Sequence, residues 1–504
     1  MSPRKAKRTE TPLKICLATA ELAPLAKTGG LADVCGALSA YLHRSGHDVR
    51  VLMPLYSSID TRGLQILPVD YLQNMPIGLG SRTGRYSIDT GRLPGTDLQI
   101  YLLRCPELYE RGSIYTSDAD EHLRFVLLSR AAIEMCQKMG FAPDIFHCHD
   151  WHTALIPLYL KTRYAWDSLF QATHSVLTIH NIGYQGVVDA ALLEDLGLGA
   201  AIHELHQDDL ALGHVNFLKT GVLHADLLTT VSPTYAREIL GEEHGMGLQD
   251  LLGSRSESLV GILNGVDYHE WDPSTDVLIP AHFTLRNMSG KKICKRELMK
   301  DMELDGGVQQ PLIGMVTRLT AQKGVDLIQK VLPDLLQKHR FSLVVLGSGE
   351  SHYEQFFEWM SDNFRGRVSF FRGYSNMLAH WIEAGSDMFL MPSYYEPCGL
   401  NQMYSLRYGT VPIVRETGGL ADAVQLFDPQ SKKGDGIVFR DYDETGLMWA
   451  IETALDLYRD RPTWRRIMQN GMRKNFSWEN QGLKYVELFR QLGNNGKRQV
   501  PQQP

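Results

Sequence analysis

Short apolar runs alternate with glycine-bearing loops and amphipathic stretches along most of the chain. Leu13–Ala20 reads as a strand, Lys27-Thr28-Gly29-Gly30 as a loop, Leu31–Arg44 as a helix and Asp48–Pro54 as the next strand. The pattern begins again at Leu312–Val316, a strand followed by the polar loop Thr317–Gly324 and a helix over Val325–Lys338. That helix places Ile328, Val331, Leu332 and Leu335 on one face at helical spacing, and Ser342–Leu346 follows as a strand. Parallel strands require such crossovers, so the pattern predicts an α/β protein with one doubly wound sheet in each half. Between the halves lie Gly261–Asp267 and the turn-rich Trp271–Asp276, whose Gly, Asn, Asp and Pro residues mark a boundary and a hinge. The expected division is a solvated arm at 1–12, domains at 13–262 and 263–475, a closing segment at 476–492 and a polar tail at 493–504.

A chain of 504 residues exceeds the roughly 250–300 at which a single core stops growing, which agrees with two domains. Lys plus Arg total 51 against 58 for Asp plus Glu, a net charge of −7, so no nucleic acid is expected as partner. The seven cysteines stand singly, as thiols do in a reducing compartment, and the expected location is cytoplasmic. Arg4, Lys5, Lys7 and Arg8 precede the apolar Ile15–Ala20, but Glu21 ends that run too early for a signal peptide. No stretch is apolar for the ~18 residues of a membrane span, so no membrane partner is expected.

In open α/β sheets, ligands sit beyond the carboxyl ends of strands, where helix N-termini turn unpaired N–H groups toward anions. Lys27, Gly29 and Gly30 occupy such a place, and reading them as a phosphate contact or as a plain tight turn is an even choice. Arg318, Gln322 and Lys323 hold the equivalent place in the second half, where two cations beside a helix start suit a departing diphosphate; a solvated basic loop is the competing reading. Tyr394–Leu400 follows the strand Met388–Met391 and would present the Glu396 carboxylate and the N–H groups of Gly399 and Leu400. Gly418-Gly419, after the strand Pro412–Val414, repeats the device. Together these turns favour a ligand with phosphates and a polyhydroxy part.

His147, Cys148, His149 and Asp150 crowd four potential metal ligands together, yet on a strand His147 and His149 share one face while Cys148 and Asp150 share the other. A buried strand ending at Asp150 and Trp151 is the better reading, and Thr178–Asn181 likewise brings His180 and Asn181 to a sheet edge. His203, His206 and His214 read as exposed polar positions, and the pairs Asp118/Asp120 and Asp441/Asp443 as surface coincidences rather than Mg²⁺ ligands. No metal site is expected, and no Walker A sequence, Ser-His-Asp elbow or HExxH sequence is present.

Eight strings in order, KTGGLADV from Lys27, HDWH from His149, TIHN from Thr178, VSPTYARE from Val231, LNGVD from Leu263, RLTAQKG from Arg318, EPCGL from Glu396 and TGGLAD from Thr417, resemble bacterial glycogen synthase and plant starch synthase, glycosyltransferase family 5. The resemblance runs from about Leu13 to Leu492. It implies a GT-B fold, two Rossmann-like domains facing across a cleft, with a C-terminal helix from Phe476 returning to the first domain. It implies transfer of glucose from ADP-glucose to the non-reducing end of an α-1,4-glucan, with retention, no cofactor and no metal.

By the same resemblance Arg318 and Lys323 bind the diphosphate, with Gln322 beside them, and Lys27, Asp33, Gly29 and Gly30 reach it from the other domain. Glu396 holds sugar hydroxyls with the backbone of Cys398, Gly399 and Leu400. His180 contacts the glucose with Asn181 and Asn264 nearby, Asp150 lines the reacting centre, Tyr374 stacks on adenine and Tyr109 lies near the acceptor.

Two departures from the family bear on acceptor preference and phosphate contacts, the short Ile114–His122 stretch and Asn401 in place of a common Thr. The rival expectations are a GT-B transferase using UDP-glucose or a small acceptor, and a glucan-binding protein without turnover. Tyr404, where many UDP-sugar enzymes carry a second Glu, weighs against the first.

Overall fold

The expected strand, loop and helix repeats occur in both halves of the computed structural model, which describes residues 11–80 and 82–497. Most of the basic arm at 1–12 and the end of the tail at 493–504 lie outside the described residues. By its internal packing the chain divides into two units, the first made of residues to Thr230, Ile239–Ile262 and the chain from Gln481, the second of Val231–Glu238 and Leu263–Asn480.

In the first unit the strands that matter are β1 (Lys14–Ala18), β2 (Asp48–Pro54), β3 (Arg82–Arg92), β4 (Gln99–Arg104), β5 (Ile145–His149), β6 (His174–Ile179), β7 (Leu227–Thr230) and β8 (Leu259–Gly261). Their spatial order is β8-β7-β6-β5-β1-β2-β4-β3, and every neighbouring pair is parallel except β4 with β3. Helix α1 (Gly30–Arg44) crosses from β1 to β2, and α2 (Glu121–Met139) precedes β5. All five residues of β5 are buried, as expected for a strand flanked on both sides in a parallel sheet.

The second unit holds β9 (Leu312–Leu319), β10 (Ser342–Gly349), β11 (Val368–Arg372), β12 (Met388–Met391), β13 (Val411–Arg415) and β14 (Ile437–Phe439). They form a parallel sheet in the order β11-β10-β9-β12-β13-β14. Helix α3 (Val325–Lys338) has its expected bounds, and its residues Ile328, Val331, Leu332 and Leu335 are buried in the core. Strand β9 runs past the expected Val316 because its pairing with β10 continues to Leu319 opposite Gly349, so Arg318 sits on the end of a strand rather than in a loop.

Two stretches depart from a division at 262/263. Val231–Glu238 packs with the second unit because the Asp422 carboxylate accepts bonds from Ser232 Oγ, Thr234 N and Thr234 Oγ1. The last helix, α4 (Asn401–Tyr408) and α5 (Glu444–Arg459) lying before it in the chain, is α6 (Trp478–Lys497). It continues into the stretch expected as tail, since extending a helix already nucleated and packed requires only one more residue to order at each step. In the second unit the Trp478 indole lies against Gly265, where any side chain would collide with it. In the first, Tyr485 and Phe489 close on His147 with ring centroids 5.8 and 5.4 Å away. No described helix is long and apolar enough to cross a membrane.

Candidate active site

The second unit gathers its charged groups at the carboxyl ends of the paired strands β9 and β12. Arg318 is exposed there, and among the described residues its guanidinium has no hydrogen-bond or ion-pair partner. Lys323 lies in the short turn after β9, which ends at Gly324 with φ +75°; a Cβ at that position would run into the Pro392 carbonyl. The turn aims Lys323 Nζ at Glu396 Oε2, 2.6 Å away, and Ser393 Oγ donates to the same oxygen at 3.0 Å. Glu396 is buried, so its charge needs this lysine. Gln322 serves a framework role: its carbonyl accepts from Tyr394 N at 2.9 Å and its amide donates to Tyr395 O at 3.3 Å, tying the loop after β9 to the loop after β12.

Beyond Glu396 the chain enters α4, and among the described residues no protein group accepts from the N–H groups of Gly399 and Leu400. They are the orphan donors of a helix start and can serve an anion or a sugar oxygen. The Cys398 thiol is pushed up to about 12, chiefly by burial, and stays neutral beside Asn264. Asn264 is itself buried, and its Oδ1 has no partner among the described residues, which leaves an acceptor for a ligand hydroxyl. Asn401, where a Thr is common, donates to Val316 O at 2.8 Å and so ties α4 to β9. Tyr374 follows Gly373 and is two-thirds exposed, its hydroxyl donating to Asn376 Oδ1 at 3.0 Å. Tyr404 is buried and stacks on Trp271 at 4.0 Å.

The Gly418-Gly419 turn does not repeat the anion-binding device. The Glu238 carboxylate accepts from Gly418 N at 3.0 Å and from Thr417 Oγ1 at 3.1 Å, and Glu396 O accepts from Gly419 N at 3.1 Å. A side-chain anion and a carbonyl already fill the positions a phosphate would take.

In the first unit β5 and β6 deliver the central groups. Asp150 follows β5 with φ +53° and ψ −170°, a conformation that residues other than glycine rarely adopt. Its Oδ1 accepts from His180 N at 2.7 Å and from Asn181 N at 3.4 Å, which ties the end of β5 to the turn after β6. Burial raises its carboxyl to about 7 against these two stabilising bonds, and the nearby Glu21 charge adds to the rise. Burial alone drives the His180 imidazole down to about 3, and its Nε2 lies 2.9 Å from His149 Nδ1, so one neutral ring donates to the other. Only His180 Nδ1 is left for a ligand. Asn181 Oδ1 accepts from Gly183 N at 2.9 Å.

Lys27 pairs with Asp33 at 2.7 Å in an exposed bridge, so Asp33 positions the lysine rather than meeting an anion. The Gly29 amide is not free. It donates to Glu21 Oε2 at 3.2 Å, and the same carboxylate takes Thr28 N at 2.6 Å, Thr28 Oγ1 at 2.6 Å and the Tyr115 hydroxyl at 2.6 Å. Gly30 alone keeps its place at the α1 start without such a bond. Glu21 and Tyr115 were missed by the sequence reasoning. The available signal was a carboxylate standing at the end of a buried apolar run, and the short Ile114–His122 stretch turns out to carry the tyrosine that meets it.

Tyr109 is corrected. It is fully buried, and its hydroxyl donates to Arg124 O at 2.6 Å, so it braces the start of α2 and offers nothing to an acceptor. Tyr109→Phe should leave the KM for acceptor unchanged and lower stability by about 1 kcal/mol, read by thermal melting with kinetics on the same sample.

The remaining clusters are satisfied by the protein. Asp118 and Asp120 both pair with Arg111, at 3.0 and 2.6 Å, and Asp443 caps α5 by accepting from Gly446 N at 2.7 Å. His203 is exposed, but His206 and His214 are not: they lie 3.3 and 3.8 Å from Asp209, a buried carboxylate held by Lys219 at 2.7 Å. That buried charge draws the two imidazoles inward.

Residues 14–254 match the family model described as the starch synthase catalytic domain, and residues 303–473 that of glycosyl transferases group 1. A glycogen synthase 1 of Geobacter sulfurreducens is 44% identical over 492 residues, covering 95% of this chain and 96% of that one. A glycogen synthase of Koribacter versatilis is 43% identical over 482 residues, covering 95% and 98%.

The chain belongs to the glycogen and starch synthase family. Among solved structures, the catalytic domain of Arabidopsis thaliana starch synthase IV, bound to ADP and acarbose, matches with TM-score 0.89 and 34% identity over 96% of this chain and 100% of that one. A sucrose-phosphate synthase of Thermosynechococcus elongatus, at 16% identity and TM-score 0.60, shares the fold alone. The fold is therefore GT-B, and this family member is a glycosyltransferase of glycogen synthesis. At the strand ends and loops described above stand Arg318, Lys323 and Glu396 in one unit, and Asp150, His180 and Lys27 in the other.

Proposed function

We propose that the protein transfers glucose from ADP-glucose to the non-reducing end of an α-1,4-glucan, with retention at the anomeric carbon. One observation carries this reading: an arginine with no partner among the described residues lies at the end of β9, and the turn after it holds a lysine paired with a buried carboxylate from the loop after the adjoining strand β12. Two cations there suit a diphosphate, and a carboxylate beside them suits the hydroxyls of the sugar it carries. The Arabidopsis relative binds ADP and acarbose, a nucleotide and a sugar-like ligand, which supports both halves of the assignment.

In this reading Arg318 and Lys323 hold the diphosphate, Tyr374 stacks on the base, and Glu396, Asn264 and the Gly399 and Leu400 amides hold the sugar. In the first unit Lys27, Asp150 and His180 offer a cation, a carboxyl group and an imidazole to the same reaction. The bond from C1 to the phosphate oxygen breaks, the acceptor O4 bonds to C1 on the same face, and the O4 proton passes to the departing diphosphate. Each well-placed charged donor contributes about 3 kcal/mol as negative charge builds on the leaving group. Asp150 already accepts two backbone N–H bonds, a placement that favours electrostatic support of a cationic sugar over attack on it.

Arg318 and Lys323 neutralise the diphosphate in this scheme, so no metal or other cofactor is required. A chelator should not lower the rate, and a reversible loss on adding one would overturn that assignment. Cytosolic location is part of the same proposal, and the seven cysteines, all unpaired, agree with it. A donor screen with glycogen tests the whole. ADP release matched by chain elongation is the expected result. Preference for UDP-glucose, or glucan binding without turnover from any donor, would overturn it.

A further inference from the structure

Cys35 of α1 and His149 at the end of β5 take no part in the transfer proposed above, yet they converge on His180. The three side chains are buried, and each offers one ligand atom within 4.8 Å of the others. We propose that Cys35, His149 and His180 form a binding site for a soft divalent cation of the zinc class, and that a cation seated there blocks glucosyl transfer.

The ligand types suit such an ion, since zinc takes thiolate and imidazole in tetrahedral array. The spacing suits it as well. His149 Nδ1 and His180 Nε2 are 2.9 Å apart, and two nitrogens at about 2.05 Å from a tetrahedral zinc stand about 3.3 Å apart, so the rings need only spread slightly. Burial holds both imidazoles neutral, as ligands must be, and His149 Nε2 is buried without a partner among the described residues. The polar surroundings favour positive charge. Asp150 and Glu21 both act electrostatically on the Cys35 sulfur, and the Thr19 hydroxyl is within bonding reach of it.

Seating the ion releases one proton, from the Cys35 thiol, which burial and the two carboxylates otherwise hold protonated. The hydrogen now shared between His149 Nδ1 and His180 Nε2 moves to the far nitrogen of whichever ring carries it. Both near nitrogens then face the metal, and the fourth position is open to water. His180 would be committed to the cation, and its neighbour Asp150 would face a positive charge in place of the sugar. Inhibition therefore rests on the proposed transfer reaction, while binding does not.

The test uses the untagged full-length protein, stripped of metal, with Co²⁺ as a spectroscopic probe and Zn²⁺ as the competitor. We expect one equivalent of Co²⁺ to give a thiolate-to-cobalt band in the near ultraviolet, displaced by Zn²⁺ and lost in both Cys35→Ala and Cys35→Ser. Those variants should keep the metal-free rate, which also reports that they fold, and need at least about tenfold more Zn²⁺ for half inhibition. Absence of the band in the folded wild type, or equal Zn²⁺ sensitivity in wild type and variants, would overturn the proposal. Should no nucleotide sugar support transfer, the cobalt band still decides the site, so the two readings fail separately.

Discussion

Lys323→Ala should lower kcat by on the order of 10²-fold to 10³-fold, with a smaller change in the KM for ADP-glucose, because the ammonium meets charge that grows as the diphosphate departs. Arg318→Ala should cost a comparable factor. The two variants part company in stability. Arg318 is exposed with no partner among the described residues, so its loss should leave the melting temperature within the equivalent of about 0.5 kcal/mol. Lys323 is different, since its removal strands the buried Glu396 carboxylate with Ser393 Oγ as its remaining side-chain partner. That should cost about 1–3 kcal/mol. Adding Glu396→Gln to Lys323→Ala should recover part of the stability and none of the activity. Steady-state kinetics and thermal melting on the four proteins check this, and a near-normal kcat in Arg318→Ala would remove the arginine from the reaction.

Asp150→Asn is the second large effect, a loss of about 10²-fold or more in kcat with the backbone bonds to His180 and Asn181 preserved by the amide oxygen. Its stability should depend on pH in a defined direction. In the folded chain the carboxyl holds its proton up to about 7, whereas in the unfolded chain it loses it near the ordinary aspartate value of about 3.9. The folded state therefore binds more protons across that window, and this group's contribution to stability falls as pH rises through it. Asparagine has no proton to lose. The variant should gain on the wild type by on the order of a few kcal/mol between about pH 4 and pH 7, then hold that gain at higher pH. Denaturant titrations at three pH values measure it. If the ionised form is the active one, wild-type kcat rises with pH through the same range, and a flat profile there would argue that Asp150 works as a neutral group.

The sequence made the sheets legible because strand, loop and helix each leave a local imprint. Val325–Lys338 shows a helical stripe and Met388–Met391 a buried run, and both elements have the expected bounds. Positions at strand ends were legible for the same reason, since they follow from knowing where a strand stops. What these side chains touch was not. Glu21 holds Thr28, Gly29 and Tyr115, the last at a distance of 94 residues in the chain, and Glu238 holds Gly418 from 180 residues away. Carboxylates that fill anion-binding turns look, in sequence, like any other acidic residue. Tyr109 failed for a related reason: a tyrosine near an acceptor and a tyrosine bracing a helix present the same letter, and only burial separates them.

Because the first unit includes the chain from Gln481 onward, it is not finished when its last strand, β8, has been made. On the ribosome the entire second unit is synthesised before Tyr485 and Phe489 emerge to cover His147. The usual sequence, in which an N-terminal domain matures first, is reversed in its final step. The half that carries Asp150 and His180 waits, partly uncovered, until the chain beyond Gln481 has been made.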